Sequence, residues 1–217
     1  MRSIKEIGLI TILFVLFSAC SKKDKSPVDK EGRLHGTVIE YYNDSAISKV
    51  SHYIHGQKSD TEITYFLSGQ PEVIAIYSWD SFASVLNGDY FHYYDNGQLL
   101  LKGHYIEGLP DDTFRLWTPE GQLVSEEVYR KGITRGIWSY FDSIGHLYLQ
   151  VEHDSLFRLY HETLKSGKYI WYDSSGRKVY EASWAQRIQL NDSIYQPEAY
   201  EEMLRAGIID TSMYVYP

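Results

Sequence analysis

One spacing recurs six times along the chain, and it limits what the chain can fold into. Counting from Gly36, an aromatic stands five residues on, at Tyr41. The same step from Asp60, Gly88, Asp112, Gly136 and Gly167 reaches Tyr65, Tyr93, Trp117, Phe141 and Tyr172. At the ninth step five of the six units carry glycine, namely Gly69, Gly97, Gly121, Gly145 and Gly176, and the first carries Ser45. The seventeenth step is Tyr53, Tyr77, Tyr105, Tyr129, His153 and Trp184, and Gly56, Gly108 and Gly132 close three units at the twentieth. Unit starts are 24, 28, 24, 24 and 31 residues apart. Aromatics are 15% of the chain, so six of six at one step is not a chance arrangement. A fixed period of this length marks a repeat architecture, in which each unit stacks on its neighbours.

Each unit has room for two short strands around one polar turn. The turns are Asp95–Gly97, Pro119–Gly121 and Asp173–Gly176, with glycine supplying the positive φ that such turns need. A first strand then runs from the unit start to about the sixth position, and a second runs on to the seventeenth step. Side chains alternate along a strand, which places Leu99, Leu101, Gly103 and Tyr105 on one face of the third unit. A lone hairpin is unstable in water, so the units must pair edge to edge. The expected fold is mainly β: an elongated, curved antiparallel sheet of about six successive β-hairpins.

The core pattern of Gly88, Tyr93, Tyr94 and Gly97, with Tyr105 and Gly108 behind it, resembles the MORN-type repeat in the variant found in exported bacterial and antitoxin-labelled proteins. The resemblance extends from Gly36 to about Gln186. It implies a sheet of consecutive hairpins and, by analogy alone, an immunity or antitoxin-like role. The second unit departs from the pattern with Asp80 at the twentieth step. The fifth departs with His153 and Leu156, and extra residues follow it. The aromatics are expected mainly as core and rung-stacking residues.

The N-terminus reads separately. Arg2 and Lys5 precede the apolar run Ile7–Ala19, whose thirteen residues rise only about 20 Å as a helix, short of a ~30 Å hydrocarbon core. A charged start, a short apolar run and small residues before a cut site have the form of a secretory signal. Ser18 and Ala19 stand before Cys20, the only cysteine, in an arrangement that resembles the bacterial lipobox, with Phe17 where that motif usually has leucine. The resemblance implies a palmitate-type lipid on Cys20 and a membrane anchor in the cell envelope, with the outer membrane of a Gram-negative bacterium as the expected site. Acylation would consume the one thiol and leave no cysteine chemistry. Ser21–Gly32 is charged and free of aromatics, the composition of a flexible tether. The expected segments are a signal peptide at 1–19, a tether at 20–32, the repeat domain at 33–186 and a cap at 187–217. Without the signal the chain carries 19 basic and 28 acidic groups, a sign that disfavours nucleic acid as a partner.

The tail has helix signals. Pro197 stands at a first turn, Glu198, Glu201 and Glu202 lie early, Arg205 lies late and Gly207 stops it. Ala199, Tyr200, Met203 and Leu204 form the apolar stripe of a helix expected to cover the last strand, with Ser212–Pro217 as an expected final strand.

No catalytic, cofactor or metal signature is present in the sequence. None of the eight histidines falls in a metal-ligand spacing; His52 and His55 are close in sequence but expected on a strand end and a turn, and His161 lacks a second histidine. Asp111 and Asp112 point to opposite faces of a strand. The expectation is therefore binding without chemistry and without cofactor, through the membrane lipid and a protein or glycan partner. The candidate surface is the strand face of the third and fourth units that carries Tyr90, His92 and Tyr94, opposite Phe91 and Tyr93.

Overall fold

The computed structural model describes residues 26–42, 45–153, 167–185, 188–206 and 208, with the side chains from 184 to 192 excepted. The expected signal segment, Cys20, Leu156, His161, Gly207 and the expected strand at Ser212–Pro217 lie outside the described residues.

Every repeat unit is one hairpin. The strands are β1 (Gly36–Tyr41) and β2 (Ile47–Ile54), with the short β3 (Gln57–Lys58) behind them; β4 (Asp60–Tyr65) and β5 (Pro71–Trp79); β6 (Ser84–Tyr93) and β7 (Leu99–Ile106); β8 (Leu109–Trp117) and β9 (Leu123–Arg130), followed by the short β10 (Ile133–Thr134); β11 (Ile137–Phe141) and β12 (Leu147–Glu152); β13 (Gly167–Tyr172) and β14 (Lys178–Ala185). A further strand, β15 (Ile188–Ile194), precedes the helix α1 (Pro197–Arg205). The strands join in one open sheet in the order β1-β2-β4-β5-β6-β7-β8-β9-β11-β12-β13-β14-β15, with β3 and β10 as side pairings. All its pairings are antiparallel, because each strand turns back on the one before it. Among the described residues no helix is long and apolar enough to cross a membrane.

The sequence spacing has a local cause at each step. In the third unit Gly97 N donates to Tyr94 O at 2.9 Å and Tyr94 N donates to Gln98 O at 2.8 Å, the bonding of a three-residue hairpin loop with its last residue left-handed. Gly97 has φ 81°. The same pair of bonds recurs at Phe66–Gln70, Thr118–Gln122, Asp142–His146 and Asp173–Arg177. Beside each turn the register slips by one residue: Tyr93 pairs with Leu99, but His92 pairs with Leu101, so Leu100 is an extra residue on its strand. All six hairpins carry this bulge at the same step. A bulge lets two consecutive side chains share a side. In the sixth unit Val179 and Tyr180 are both buried in one cluster. The strict alternation expected for Leu99, Leu101, Gly103 and Tyr105 therefore fails at its first member. Leu99 goes with Tyr93 on the opposite face, and the other three remain together.

The unit starts also have a reason. All six have positive φ, including Asp60 at 67° and Asp112 at 70°, and aspartate enters the left-handed region more readily than most residues with a side chain. Between units, His55-Gly56, Glu107-Gly108 and Lys131-Gly132 have positive φ at both positions, the demand of a two-residue type I′ turn. The second unit differs. Its strands run on to the pair Trp79–Ser84, and Asp80 Oδ1 accepts from Phe82 N and Ala83 N at 2.8 Å each. That longer turn absorbs the extra residues of the 28-residue spacing and leaves Phe82 92% exposed.

The expected tether reaches Gly32, but Asp29–Arg33 is already a closed turn. Glu31 N and Arg33 N donate to Asp29 Oδ1, and Arg33 Nε donates to Asp29 Oδ2 at 2.8 Å. Asp173, Ser175 and Arg177 repeat this arrangement in the last unit.

A single sheet has two faces and one thin core. α1 lies on one of them, called here the helix face. Its Ala199, Tyr200, Met203 and Leu204 pack against Trp171, Val179, Tyr180 and Ala182. The expected stripe is therefore the packing stripe. It covers the face of the last units rather than the final edge, which β15 forms among the described residues. The opposite face carries the row Ile39, Val50, Ile63, Ile74 and Phe91, which gives way to Lys102, Arg115 and Glu126.

Candidate functional site

On the helix face, the second and seventeenth steps of successive units meet. Tyr90, Tyr105, Phe114, Tyr129, Trp138 and His153 form an unbroken ladder of rings, with centroids 5.7, 5.3, 5.3, 5.2 and 4.4 Å apart in that order. The first three contacts are edge to face, at 73°, 88° and 78°, the geometry that the ring quadrupoles favour. The ladder begins only at the third unit. In the second, step two is Glu62, which is buried. Ser51 Oγ donates to its Oε2 at 2.6 Å, and Lys58 Nζ, also 2.6 Å away, caps the Tyr77 ring. The helix face is thus ionic over the first units, aromatic in the middle and covered by α1 at the end.

Among the described residues nothing covers the middle, which contains a groove of about 370 Å³, walled by Leu101, Tyr105, Phe114, Leu116, Ser125, Glu127 and Tyr129, with Pro110 and Arg115 at its margin. Its depth follows from small residues: Ser125 is buried, and Gly103 lets the Phe114 ring lie directly over the backbone. Tyr129 donates its hydroxyl to Glu127 Oε2 at 2.8 Å. Burial and the Glu127 carboxylate together push its phenol well above the usual tyrosine range. Glu127 is the one carboxylate in this wall.

The residues singled out from the sequence separate in the structure. Tyr90 is the first ring of the ladder, and burial raises its phenol. His92 shares its face, between Val73 and Leu101. Tyr94 belongs to the turn layer: its hydroxyl donates to Trp117 O of the next hairpin at 2.9 Å, as Tyr42 does to Tyr65 O. Tyr90 and His92 stay together, and Tyr94 is tied to the next hairpin. The fifth-step aromatics take no part in the ladder. Tyr93 stacks with Phe91 on the opposite face, and Tyr41 is 53% exposed. The second step, which the spacing did not reveal, supplies half of the ladder. Its sequence signal was present in Tyr90, Phe114, Trp138 and Tyr169, masked by Val38 and Glu62 in the first two units.

Two other clusters have the outline of sites. A second groove of about 560 Å³ lies between α1 and the turns of the last two units, beside Asp142, His146, Asp173 and Glu202. Asp142 spends Oδ1 on Ile144 N and His146 N. Asp173 is held at about 2 by hydrogen bonds from the Ser175 hydroxyl and from Arg177. Those carboxylates brace turns. Near the N-terminus Asp29, His35 and His55 bring three metal-ligating side chains within reach of one another. His52 and His55 are close in sequence, but His52 Nδ1 lies against Thr61 O, and the neighbour of His55 is His35. The Arg33 guanidinium already occupies this cluster, 2.8 Å from Asp29 Oδ2 and 3.1 Å from His55 Nδ1, so an arginine serves there as the cation.

Comparison with curated proteins finds no match to the chain. Residues 86–107, which are the third hairpin with its first ladder rings, match the MORN repeat variant.

Proposed function

We propose that the chain is a non-enzymatic, lipid-anchored scaffold of the bacterial cell envelope that holds a partner protein on the helix face of its third and fourth hairpins. The observation that carries this reading is the open groove between an ionic end and a helix-covered end of the same face. An apolar patch left uncovered on a single-layer sheet is the kind of surface that partners occupy. The anchor rests on the sequence around Cys20. The proposal is non-enzymatic because the sequence carries no catalytic signature, and Asp142 and Asp173 beside the second groove brace turns. A glycan-binding role needs coplanar exposed rings, and the edge-to-face ladder offers few. An immunity role would use the same groove with a toxin as the partner.

Two variants test the proposal. Cys20→Ser is expected to move the protein from the detergent phase to the aqueous phase. The anchored Tyr90→Ala, Leu116→Asp variant is expected to stay folded and lose a partner that the parent captures. A Cys20→Ser protein that partitions as the parent does contradicts the anchor, and a double variant that keeps every partner contradicts the site.

A further inference from the structure

The groove on the third and fourth units is the repeat-equivalent of the surface that holds α1. The α1 cradle consists of step thirteen of the fifth unit, Leu149, and steps two, four, twelve, thirteen and fifteen of the sixth: Tyr169, Trp171, Val179, Tyr180 and Ala182. Two units earlier the same steps are Leu101, Phe114, Leu116, Val124, Ser125 and Glu127. Five of these six, all but Val124, wall the open groove. The two surfaces also share one register row, from Leu101 through Leu116, Ser125, Tyr140 and Leu149 to Trp171 and Tyr180. The two surfaces are built from equivalent positions, and among the described residues α1 fills the later one.

We propose that the groove receives an amphipathic helix from a partner protein, in the manner in which the sixth unit receives α1. This rests on the scaffold reading and specifies the ligand class for its site. The differences between the seats define the helix. Ser125 stands where the other seat has Tyr180, and Leu116 where it has Trp171, so the open seat is roomier. It suits an anchor larger than Met203, an aromatic in its place. Glu127 stands where the other seat has Ala182, so the partner helix brings a basic residue beside its anchor. Charge works in the same direction, since the protein carries a net charge of −8 and attracts a cationic helix. Recognition of this kind reads apolar anchors at helical spacing, as α1 already displays with Ala199, Tyr200, Met203 and Leu204.

The test titrates the full chain into a fluorescein-labelled helix whose sequence is that of residues 195–208 with Glu198→Lys, Glu201→Lys, Glu202→Lys and Met203→Trp. The expected result is a saturable rise in anisotropy, lost in Ser125→Tyr, which takes up the extra room that the tryptophan anchor needs. Glu127→Lys should weaken binding at least tenfold, and Lys102→Glu on the opposite face should leave it unchanged. Circular dichroism establishes that each variant is folded, and Glu127→Lys, which alters a wall charge, guards against a misfolded Ser125→Tyr. No saturable binding overturns the proposal, as does binding that survives both groove variants. If the unaltered sequence of residues 195–208 binds more tightly and the chain dimerises, the occupant is a second copy of this chain, and the partner helix is again overturned. A partner that cross-links at Leu116 in cells while the helix fails to bind overturns the helix alone and leaves the scaffold standing. Failure of both removes the scaffold with it.

Discussion

Gly103 has no room for a methyl group. A Cβ built there would stand 2.2 Å from the Phe114 ring, closer than any real contact, so the ring must leave the ladder or the strand must shift. Gly103→Ala is therefore expected to cost roughly 1–3 kcal/mol, the usual penalty of overpacking, and to disturb the groove that Phe114 walls. Chemical denaturation checks the first effect, and an unchanged midpoint would mean that the ring does not lie where it is described. Gly103 also shows what single residues disclose in sequence. Its place at step fifteen gave the right face, together with Leu101 and Tyr105. Nothing in the sequence said that a ring from the next hairpin would cross it, because that contact depends on how two units sit beside each other. The fifth-step aromatics mislead for the converse reason. They are the most regular feature of the chain, yet they flank the bulge on the face away from the ladder. Regularity there reports turn geometry and not ring stacking.

The turns are the elements most legible in the sequence, since their glycines answer a local demand for positive φ that holds in any packing environment. Their polar residues were less legible. The carboxylates scattered among turns have a use: Asp29, Asp142 and Asp173 each accept backbone N–H groups two and four residues on. At Asp173 the hydrogen bond from the Ser175 hydroxyl, with those from Arg177, lowers the carboxyl from 3.8 to about 2. A carboxyl lowered by folding adds stability that is fully present above its unfolded value, and this is lost as pH falls through the folded one. Asp173→Asn should therefore be less stable than the parent at pH 5 and above, with the gap closing between about pH 4 and pH 2. Thermal melts across that range decide it, and a gap that stays constant to pH 2 would mean that the turn does not depend on the charge. α1 was legible for a similar reason. Proline first, acid early and an apolar stripe are local signals, and they identified the packing residues correctly. Its seat was not legible, because β15 carries no repeat signature and pushes the helix from the sheet edge onto the face.

At the scale of the molecule, repetition makes the fold readable and variation between repeats makes the site. Six hairpins with the same bulge, five of them with the same turn among the described residues, build one continuous antiparallel sheet, and that was visible from spacing alone. The proposed site was less legible. Tyr90 and His92 share the helix face with the groove, as the alternation along their strand implies, whereas the Tyr94 hydroxyl is tied to the next hairpin, and Leu116, Ser125 and Glu127 carry no sequence signal of their own. Those three matter because they differ from their equivalents two units later, a comparison that needs the bulge to be aligned first. The face also divides by charge: Glu62 and Lys58 close the ladder on one side, α1 closes it on the other, and among the described residues the middle is open. Leu116 walls the groove and Lys102 lies on the opposite face without lining it, so the two provide the most direct test of the central claim. A photoreactive phenylalanine derivative placed at each position in turn, in the anchored protein in its own cells, reports which face meets a partner. The account predicts a discrete cross-linked protein from position 116 and none from position 102. Cross-links from position 102 alone, or equally from both, would contradict it.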